Sequence, residues 1–123
     1  AIMNFQGTEF HIRRLNRMTA DDWRRMEARE AVYADRAALP LLVLRTRRAG
    51  DYMRLPVGRR KLKDILIDDK IPREERDTLP LLAIAGTSEI FWIAGGRRSV
   101  LAPVTIPGEP VVRIAYDEGD DSQ

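Results

Sequence analysis

The sequence predicts an α+β domain in which helices precede and separate short strands. Three observations predict this class. The 123 residues are enough to bury one hydrophobic core but not two independent ones. The composition, 44% hydrophobic and 33% charged, is typical of a globular chain and excludes a disordered one. Apolar residues follow helical spacing in parts of the first two thirds, whereas the last third consists of short apolar runs separated by turn residues.

The beginning of the chain predicts a lead-in segment, residues 1–38, with one helix. Residues 1–17 favour a strand-like or irregular stretch, because Phe10 and Ile12 alternate around His11. The first residue is alanine and not methionine, so we expect the chain to be a processed or excised piece.

The helix of this segment is predicted over residues 20–33. Thr19 is a good N-cap, and Asp22 three residues later gives a weak capping box. Trp23 and Met26 lie three residues apart, at helical spacing, and we expect Trp23 to be buried in the core.

The middle of the chain alternates between strand and helix signals. Residues 41–44 are a compact apolar run that predicts a buried strand, and residues 45–51 are a basic strand end followed by a turn. Residues 52–60 contain a proline and a glycine and predict a loop. A second helix is predicted over residues 60–69, and a short helix starts at Pro72.

The last third predicts strands. Residues 81–85 and 90–94 are apolar runs joined by a four-residue turn, which favours a hairpin with Trp92 in the core. Residues 100–105 and 111–116 are two further strand candidates.

These elements divide the chain into three parts. They are the lead-in segment of residues 1–38, a domain of residues 39–116, and a flexible tail of residues 117–123 that holds four acids. No apolar run approaches the roughly 20 residues that span a membrane, and no signal peptide is visible.

The charge of the chain is unevenly distributed. The net charge is only +2, but residues 1–63 hold 15 Lys and Arg against 7 Asp and Glu, a net of +8, whereas residues 64–123 have a net of −6. Arginine supplies 18 of the 21 basic residues, and its planar guanidinium matches the oxygens of a phosphate. This asymmetry predicts a polyanion partner for one surface.

The positive charge is concentrated in residues 45–63, the basic segment, which has a net charge of +7. Several of its cations stand at the start of the predicted helix 60–69, where free backbone N–H groups favour an anion, and together they predict a phosphate-binding corner. Two other interpretations stay open: a solvated face that pairs with the acidic second half of the chain, and a surface for an acidic protein or ligand. No signature of sequence-specific base reading is present. The cations of the basic segment are Arg45, Arg47, Arg48, Arg54, Arg59, Arg60, Lys61 and Lys63.

No assembled catalytic constellation occurs in the sequence. The absence of cysteine excludes disulfides, thiolate metal sites and cysteine nucleophiles, and the single histidine, His11, is interpreted as a strand or surface residue. Asp64, Asp68 and Asp69 are interpreted as ion-pair partners of nearby lysines. The glycine pair at residues 95–96 falls far short of a Walker loop.

An ordered series of motifs runs through the chain, namely residues 45–51, 60–64 with 67–68, 70–77 with 79–81, and 92–95 with 97, 99 and 104–105. This series resembles the C-terminal domain of tRNA(Ile)-lysidine synthetase. The region around residues 29–35 is similar to the lead-in of that domain. The chain departs from the family in a compressed loop at residues 55–59 and at several positions after Gly95.

The resemblance implies an α+β fold with a small sandwich-like β core and two or three helices, shared with the β subunit of phenylalanyl-tRNA synthetase. It implies a parent enzyme that is an ATP-dependent ligase and attaches lysine to the wobble cytidine of tRNA(Ile). ATP and lysine are used there by an N-terminal catalytic domain, whose Ser-Gly-Gly-x-Asp-Ser loop is absent from this chain. The chain is therefore expected to be inactive alone and to hold no cofactor or metal.

The role implied for this domain is accessory binding of the tRNA acceptor stem, in the cytoplasm, beside the catalytic domain and without a membrane. The alternative is an interdomain or self-association module, such as a homodimer, that uses the complementary charges of the two halves. The residues predicted to bind RNA are Arg45, Arg47, Arg48, Arg59, Arg60, Lys61 and Lys63, with Arg97 and Arg98 as a second group.

Overall fold

The computed structural model describes residues 1–104 and 110–117. The chain forms two compact units: unit 1 is residues 1–39 with the chain from residue 102 onward, and unit 2 is Pro40–Leu101. No helix in the described part of the chain has the length and apolar character needed to cross a membrane. The elements are β1 (Ile2–Phe5), β2 (Thr8–Leu15), α1 (Ala20–Glu27), β3 (Ala31–Asp35), β4 (Leu42–Arg45), β5 (Tyr52–Leu55), β6 (Gly58–Lys61), α2 (Leu62–Asp68), a 3₁₀ helix (Arg73–Glu75), β7 (Leu81–Ile84), β8 (Ile90–Ile93) and β9 (Val111–Asp117).

Unit 1 is built on a four-stranded antiparallel sheet in the order β1-β2-β9-β3. β1 and β2 form a hairpin, so the strand-like character predicted for residues 1–17 is confirmed. β9 lies between β2 and β3, with Ile114 opposite both Ile12 and Val32. The core of this unit contains Ala31, Tyr33, Val111 and Ala115, with Leu15, Met18, Met26 and Val104 packed against them.

Asp22 joins α1 to the sheet of unit 1. Its backbone N–H donates to the Thr19 hydroxyl and its carboxylate accepts from the Thr19 backbone, which confirms the predicted capping box. The carboxylate also accepts hydrogen bonds from the Tyr33 hydroxyl at 2.7 Å and from Arg113 at 3.1 Å. Burial raises the pKa of Asp22, but the hydrogen bonds from the Thr19 backbone, Tyr33, the Thr19 hydroxyl and Arg113 outweigh burial and lower the pKa to about 2. Burial and the hydrogen bond to Asp22 raise the pKa of Tyr33 to about 12.

The first helix is shorter than the predicted span of residues 20–33. α1 ends at Glu27, because Arg29 adopts a φ of 61°, which a right-handed helix does not allow. Residues 31–34 are all buried and form a strand, in keeping with their β-branched and aromatic members. The alanines in this run had favoured a continued helix.

The predicted core position of Trp23 is wrong, since this side chain is 43% exposed. The inner face of the two-turn helix instead carries Asp22, which is buried, and Met26 four residues later. Trp23 lies beside that face.

The last strand of the described chain belongs to unit 1. β9 confirms the strand predicted at residues 111–116, but it pairs with β2 and β3. The predicted domain of residues 39–116 therefore differs from the observed division, in which unit 2 stops at Leu101. Residues 118–123 of the predicted tail lie outside the described residues.

The strand predicted at residues 100–105 does not form over residues 100–104. Ala102 has a φ of 48°, and Pro103 has no N–H to contribute to a strand ladder. Thr105 lies outside the described residues.

Unit 2 contains the antiparallel sheet β4-β7-β8, the hairpin β5–β6 and the helix α2. The hairpin predicted for residues 81–94 is confirmed as β7–β8, and Trp92 is buried as expected. The short helix predicted to start at Pro72 is the 3₁₀ helix. Both sheets and α2 contribute to one core, which contains Met53, Leu55, Leu62, Ile65, Leu66, Leu81, Ala83, Ile90 and Ile93.

The loop predicted at residues 52–60 is in fact the hairpin β5–β6. Met53 and Leu55 alternate with more exposed neighbours and enter the core, which is the strand period of two. Because β6 continues to Lys61, α2 begins at Leu62 and not at residue 60.

The apolar run at residues 41–44 forms β4, but the expectation of a buried strand is wrong. Among residues 1–104 and 110–117, β4 is an edge strand with β7 as its one partner. Leu41 is 79% exposed and Val43 is 38% exposed, so one side of this run faces solvent.

Candidate functional site

A concave pocket of about 550 Å³ lies within unit 2, between the loop after β4 and the start of α2. Four cations line it, two from each segment. Its lining residues are Arg47, Arg48, Ala49, Gly50, Asp51, Lys61, Leu62, Lys63 and Asp77. Four of the eight cations of the basic segment therefore lie around one pocket, and of the eight only Lys63 lies inside a helix.

Asp51 holds the loop that forms one wall of the pocket. Its two carboxylate oxygens accept hydrogen bonds from the two terminal nitrogens of Arg45, each at 2.9 Å. One of these oxygens also accepts from the Arg48 backbone N–H at 2.7 Å. Gly50 permits the turn before Asp51, because its φ of 87° is strained for other residues.

Arg45 is therefore part of the scaffold and not of the exposed basic surface. It is only 7% exposed, and its guanidinium also donates to the carbonyl oxygens of Thr46 and Thr87. A buried arginine with these partners has no free face for an RNA phosphate. The sequence pattern did not separate Arg45 from its exposed neighbours.

The opposite wall of the pocket, at the start of α2, is also held by Asp51. The backbone N–H of Leu62 donates to the Asp51 carbonyl oxygen at 2.9 Å, and Lys61 lies opposite Tyr52 in the β5–β6 ladder. These contacts place Lys61 and Lys63 on the pocket beside the loop.

One face of the β5–β6 hairpin extends the positive surface. Residues that alternate along paired strands share a face, so Tyr52, Arg54, Arg59 and Lys61 lie on one side and Met53 lies on the core side. The Arg59 guanidinium stacks over the Tyr52 ring at 3.8 Å from its centroid. Arg54 is paired with Glu89 at 2.9 Å. Tyr52 and Arg54 were absent from the predicted site, because the hairpin alternation was interpreted as a loop.

Three of the predicted cations are paired with acids from the second half of the chain. These pairs are Arg47 with Asp77 at 2.8 Å, Arg60 with Asp68 at 2.6 Å, and Arg97 with Asp69 at 2.5 Å. The interpretation of the basic segment as a face that pairs with the acidic second half of the chain therefore holds for Arg47 and Arg60, whereas Arg97 itself belongs to that second half. Asp68 and Asp69 are confirmed as ion-pair partners, although of arginines and not of lysines.

Arg97 and Arg98, the predicted second group, do not line the pocket. Arg98 is half-buried, donates to the Leu101 carbonyl oxygen at 2.7 Å and lies over the Phe91 ring. Burial lowers the pKa of Arg98, whereas the hydrogen bond with Asp69 raises the pKa of Arg97. Both guanidinium groups are therefore engaged within unit 2, that of Arg97 by Asp69 and that of Arg98 by the Leu101 carbonyl oxygen.

Arg48, Lys61 and Lys63 are exposed, and their charged groups have no hydrogen-bond or ion-pair partner among residues 1–104 and 110–117. In the same residues no group of three or more His, Asp or Glu side chains is arranged to hold a metal ion. The chemistry that this site supports is anion binding, with lysine and arginine as donors.

Comparison with known proteins connects this fold to one family. The family model described as the TilS substrate C-terminal domain matches residues 36–100. A crystal structure described as the TilS C-terminal domain superimposes with a TM-score of 0.77 and 28% identity, and the match covers 94% of this chain and 88% of that one.

Two named relatives each match about three fifths of this chain. The tRNA(Ile)-lysidine synthase of Bacillus subtilis is 40% identical over 77 residues, which cover 61% of this chain and 16% of that protein. The protein of the same name from Caldanaerobacter subterraneus is 49% identical over 78 residues, which cover 61% of this chain and 16% of that protein. This chain matches about a sixth of the length of these relatives. The match to more than half of the chain confirms the resemblance found in the sequence: the chain belongs to the family of TilS substrate C-terminal domains.

Proposed function

We propose that this chain is the accessory tRNA-binding domain of a tRNA(Ile)-lysidine synthase and contacts the acceptor-stem end of tRNA(Ile). The observation that carries the proposal is the convergence of Arg48, Lys61 and Lys63, all without an acidic partner in the described part of the chain, on one concave surface. The names of the relatives supply the substrate class.

The parent enzyme in this proposal is an ATP-dependent ligase that converts the wobble cytidine to lysidine. Its catalytic domain, N-terminal to this one, would bind ATP and lysine, and the present chain would be inactive alone. Its contribution would be positioning of the RNA. That task suits the site, because a double-helical RNA is recognised mainly by its shape and through phosphate and 2′-OH contacts.

The hairpin face would widen the contact beyond the pocket. Arg59 is exposed and kept in place by the Tyr52 ring, so its guanidinium is partly ordered before an RNA arrives. Arg59 and Lys61 share this face, which makes the hairpin and the pocket one continuous positive surface.

A salt titration of tRNA(Ile) binding tests the electrostatic part of the proposal. Four phosphate contacts, by Arg48, Arg59, Lys61 and Lys63, predict a slope of about −3 in a plot of log K against log salt concentration. Affinity should then fall about 60-fold between 50 and 200 mM salt. Binding that is insensitive to salt would contradict the proposal.

Charge reversal locates the surface. The double variant Lys61→Glu with Lys63→Glu should abolish measurable tRNA binding at 150 mM salt and leave the melting temperature nearly unchanged. The matched control is Arg14→Glu with Arg17→Glu, which changes the net charge by the same amount at exposed positions of unit 1. Arg60 is left intact, because its reversal would break the pair with Asp68. If both double variants lose binding equally, the loss depends on net charge alone, and the assignment of the binding surface is refuted.

The interdomain or self-association module stays a second hypothesis. Sedimentation at 50 and 500 mM salt, with and without tRNA, separates the two functions. A dimer that dissociates in salt and does not bind tRNA would replace the RNA-binding proposal.

A further inference from the structure

The pocket has more positive charge than its own acids can neutralise. Two carboxylates lie in its wall, but Asp51 is bound to Arg45 and Asp77 is bound to Arg47. Arg48, Lys61 and Lys63 are left, a charge of +3 without an acidic partner among the residues that the structure describes. Like charges that line one pocket repel one another in the free protein, so an anion in the pocket would relieve that repulsion.

The two walls that carry these cations are rigidly connected. Asp51 accepts the Arg48 N–H with its side chain and the Leu62 N–H with its carbonyl group. One residue therefore fixes the distance between the loop and the start of α2. A site whose donors are held in place before binding loses less entropy when the ligand arrives.

The charge of the pocket favours the end of an RNA strand over an internal position. A concave site of about 550 Å³ has room for a terminal phosphate and the nucleotide that carries it. A phosphomonoester carries a charge of about −1.5 to −2 at neutral pH and has three free oxygens. An internal phosphodiester has a single negative charge and two free oxygens, which leaves more of the +3 uncompensated.

We propose that the pocket formed by Arg48, Lys61 and Lys63 binds a terminal phosphomonoester, the 5′-phosphate of an RNA strand. The inference deepens the proposed function and rests on it, since it names the part of the RNA that enters this pocket. The domain would thus discriminate a phosphorylated RNA end from an unphosphorylated one.

The test compares two forms of one tRNA(Ile) transcript, with a 5′-monophosphate and with a 5′-hydroxyl, bound to the 123-residue chain. Loss of one doubly charged contact should weaken binding about tenfold. In the variant Lys61→Gln with Lys63→Gln the two transcripts should bind alike. In the control Arg14→Gln with Arg17→Gln the tenfold preference should persist. Equal binding of both transcripts by the unmodified chain overturns the inference and leaves the proposed function standing.

If neither transcript binds, the proposed function itself is refuted. A second measurement then tests whether the pocket binds a phosphate. AMP, a 5′-phosphomonoester, is titrated into the isotope-labelled chain and compared with adenosine. AMP should shift the amide resonances of Arg48, Gly50, Leu62 and Lys63, and adenosine should not. Shifts with both compounds, or with neither, would exclude a phosphate site here.

Discussion

The pair formed by Arg45 and Asp51 should contribute more to stability than any exposed ion pair of the chain. Their side chains are 8% and 1% exposed, and the Asp51 carboxylate accepts three hydrogen bonds, two from Arg45 and one from the Arg48 backbone. The variant Asp51→Ala leaves the Arg45 guanidinium buried with only the carbonyl oxygens of Thr46 and Thr87 as partners. Removal of one member of a buried pair costs about 3–5 kcal/mol.

The size of this effect makes it measurable. Domains of this size have a free energy of unfolding of about 5–15 kcal/mol, so the loss is a large fraction of the total. At about 4 °C per kcal/mol for a chain of this length, the melting temperature should fall by about 12–20 °C. Thermal and urea denaturation followed by circular dichroism give both quantities.

An exposed pair provides the matched control. Arg60 and Asp68 are 36% and 45% exposed, and the variant Asp68→Ala should cost less than about 1 kcal/mol. The double variant Arg45→Met with Asp51→Ala should cost less than the sum of its single variants, because each single change leaves a buried charge behind. If Asp51→Ala costs no more than Asp68→Ala, the buried pair does not hold the loop and the reasoning is refuted.

Three further outcomes are expected. The pKa of Asp22 lies at about 2, below its ordinary value of 3.8, so its carboxylate contributes about 2 kcal/mol of stability at neutral pH that is lost as the pH falls from about 4 to about 2. Asp22→Asn should flatten the dependence of the melting temperature on pH across that window. Gly50→Ala should destabilise the chain by about 1 kcal/mol or more in urea, because the φ of 87° is strained for alanine. Acrylamide should quench Trp23 strongly and Trp92 weakly, so Trp23→Phe should remove most of the quenchable fluorescence; unchanged quenching would contradict the observed exposure of Trp23.

The sequence correctly predicted elements that depend on contacts between residues close together in the chain. The Thr19 cap acts within one helical turn, and the β7–β8 hairpin follows from two apolar runs and a short turn. The β5–β6 hairpin was missed, because its exposed face is dense in arginine and hides the alternation of Met53 and Leu55. The position of β9 between β2 and β3 depends on residues about 80 to 100 positions away, which local spacing does not report.

The distribution of charge along the sequence located the candidate site but did not show which of its cations are exposed. The basic segment contains the pocket, yet a count of cations treats Arg45 and Arg48 alike. Their difference depends on where Asp51 directs its carboxylate: it faces the Arg45 guanidinium and only the backbone of Arg48. Arg45 is buried and Arg48 is exposed because the turn at Gly50 places Asp51 against the Arg45 side chain, a contact that the sequence alone does not show.

The position of β9 at the centre of its sheet also sets an order of events during synthesis. β1, β2 and β3 leave the ribosome first. In the sheet that the structure describes, β2 and β3 are joined through β9, which is made more than 70 residues after β3 ends. Unit 2 is contiguous in sequence and has all its strands before β9 exists. The segments that form the basic pocket therefore leave the ribosome before β9 does, and the edges of β2 and β3 that will pair with β9 stay open to other strands until then.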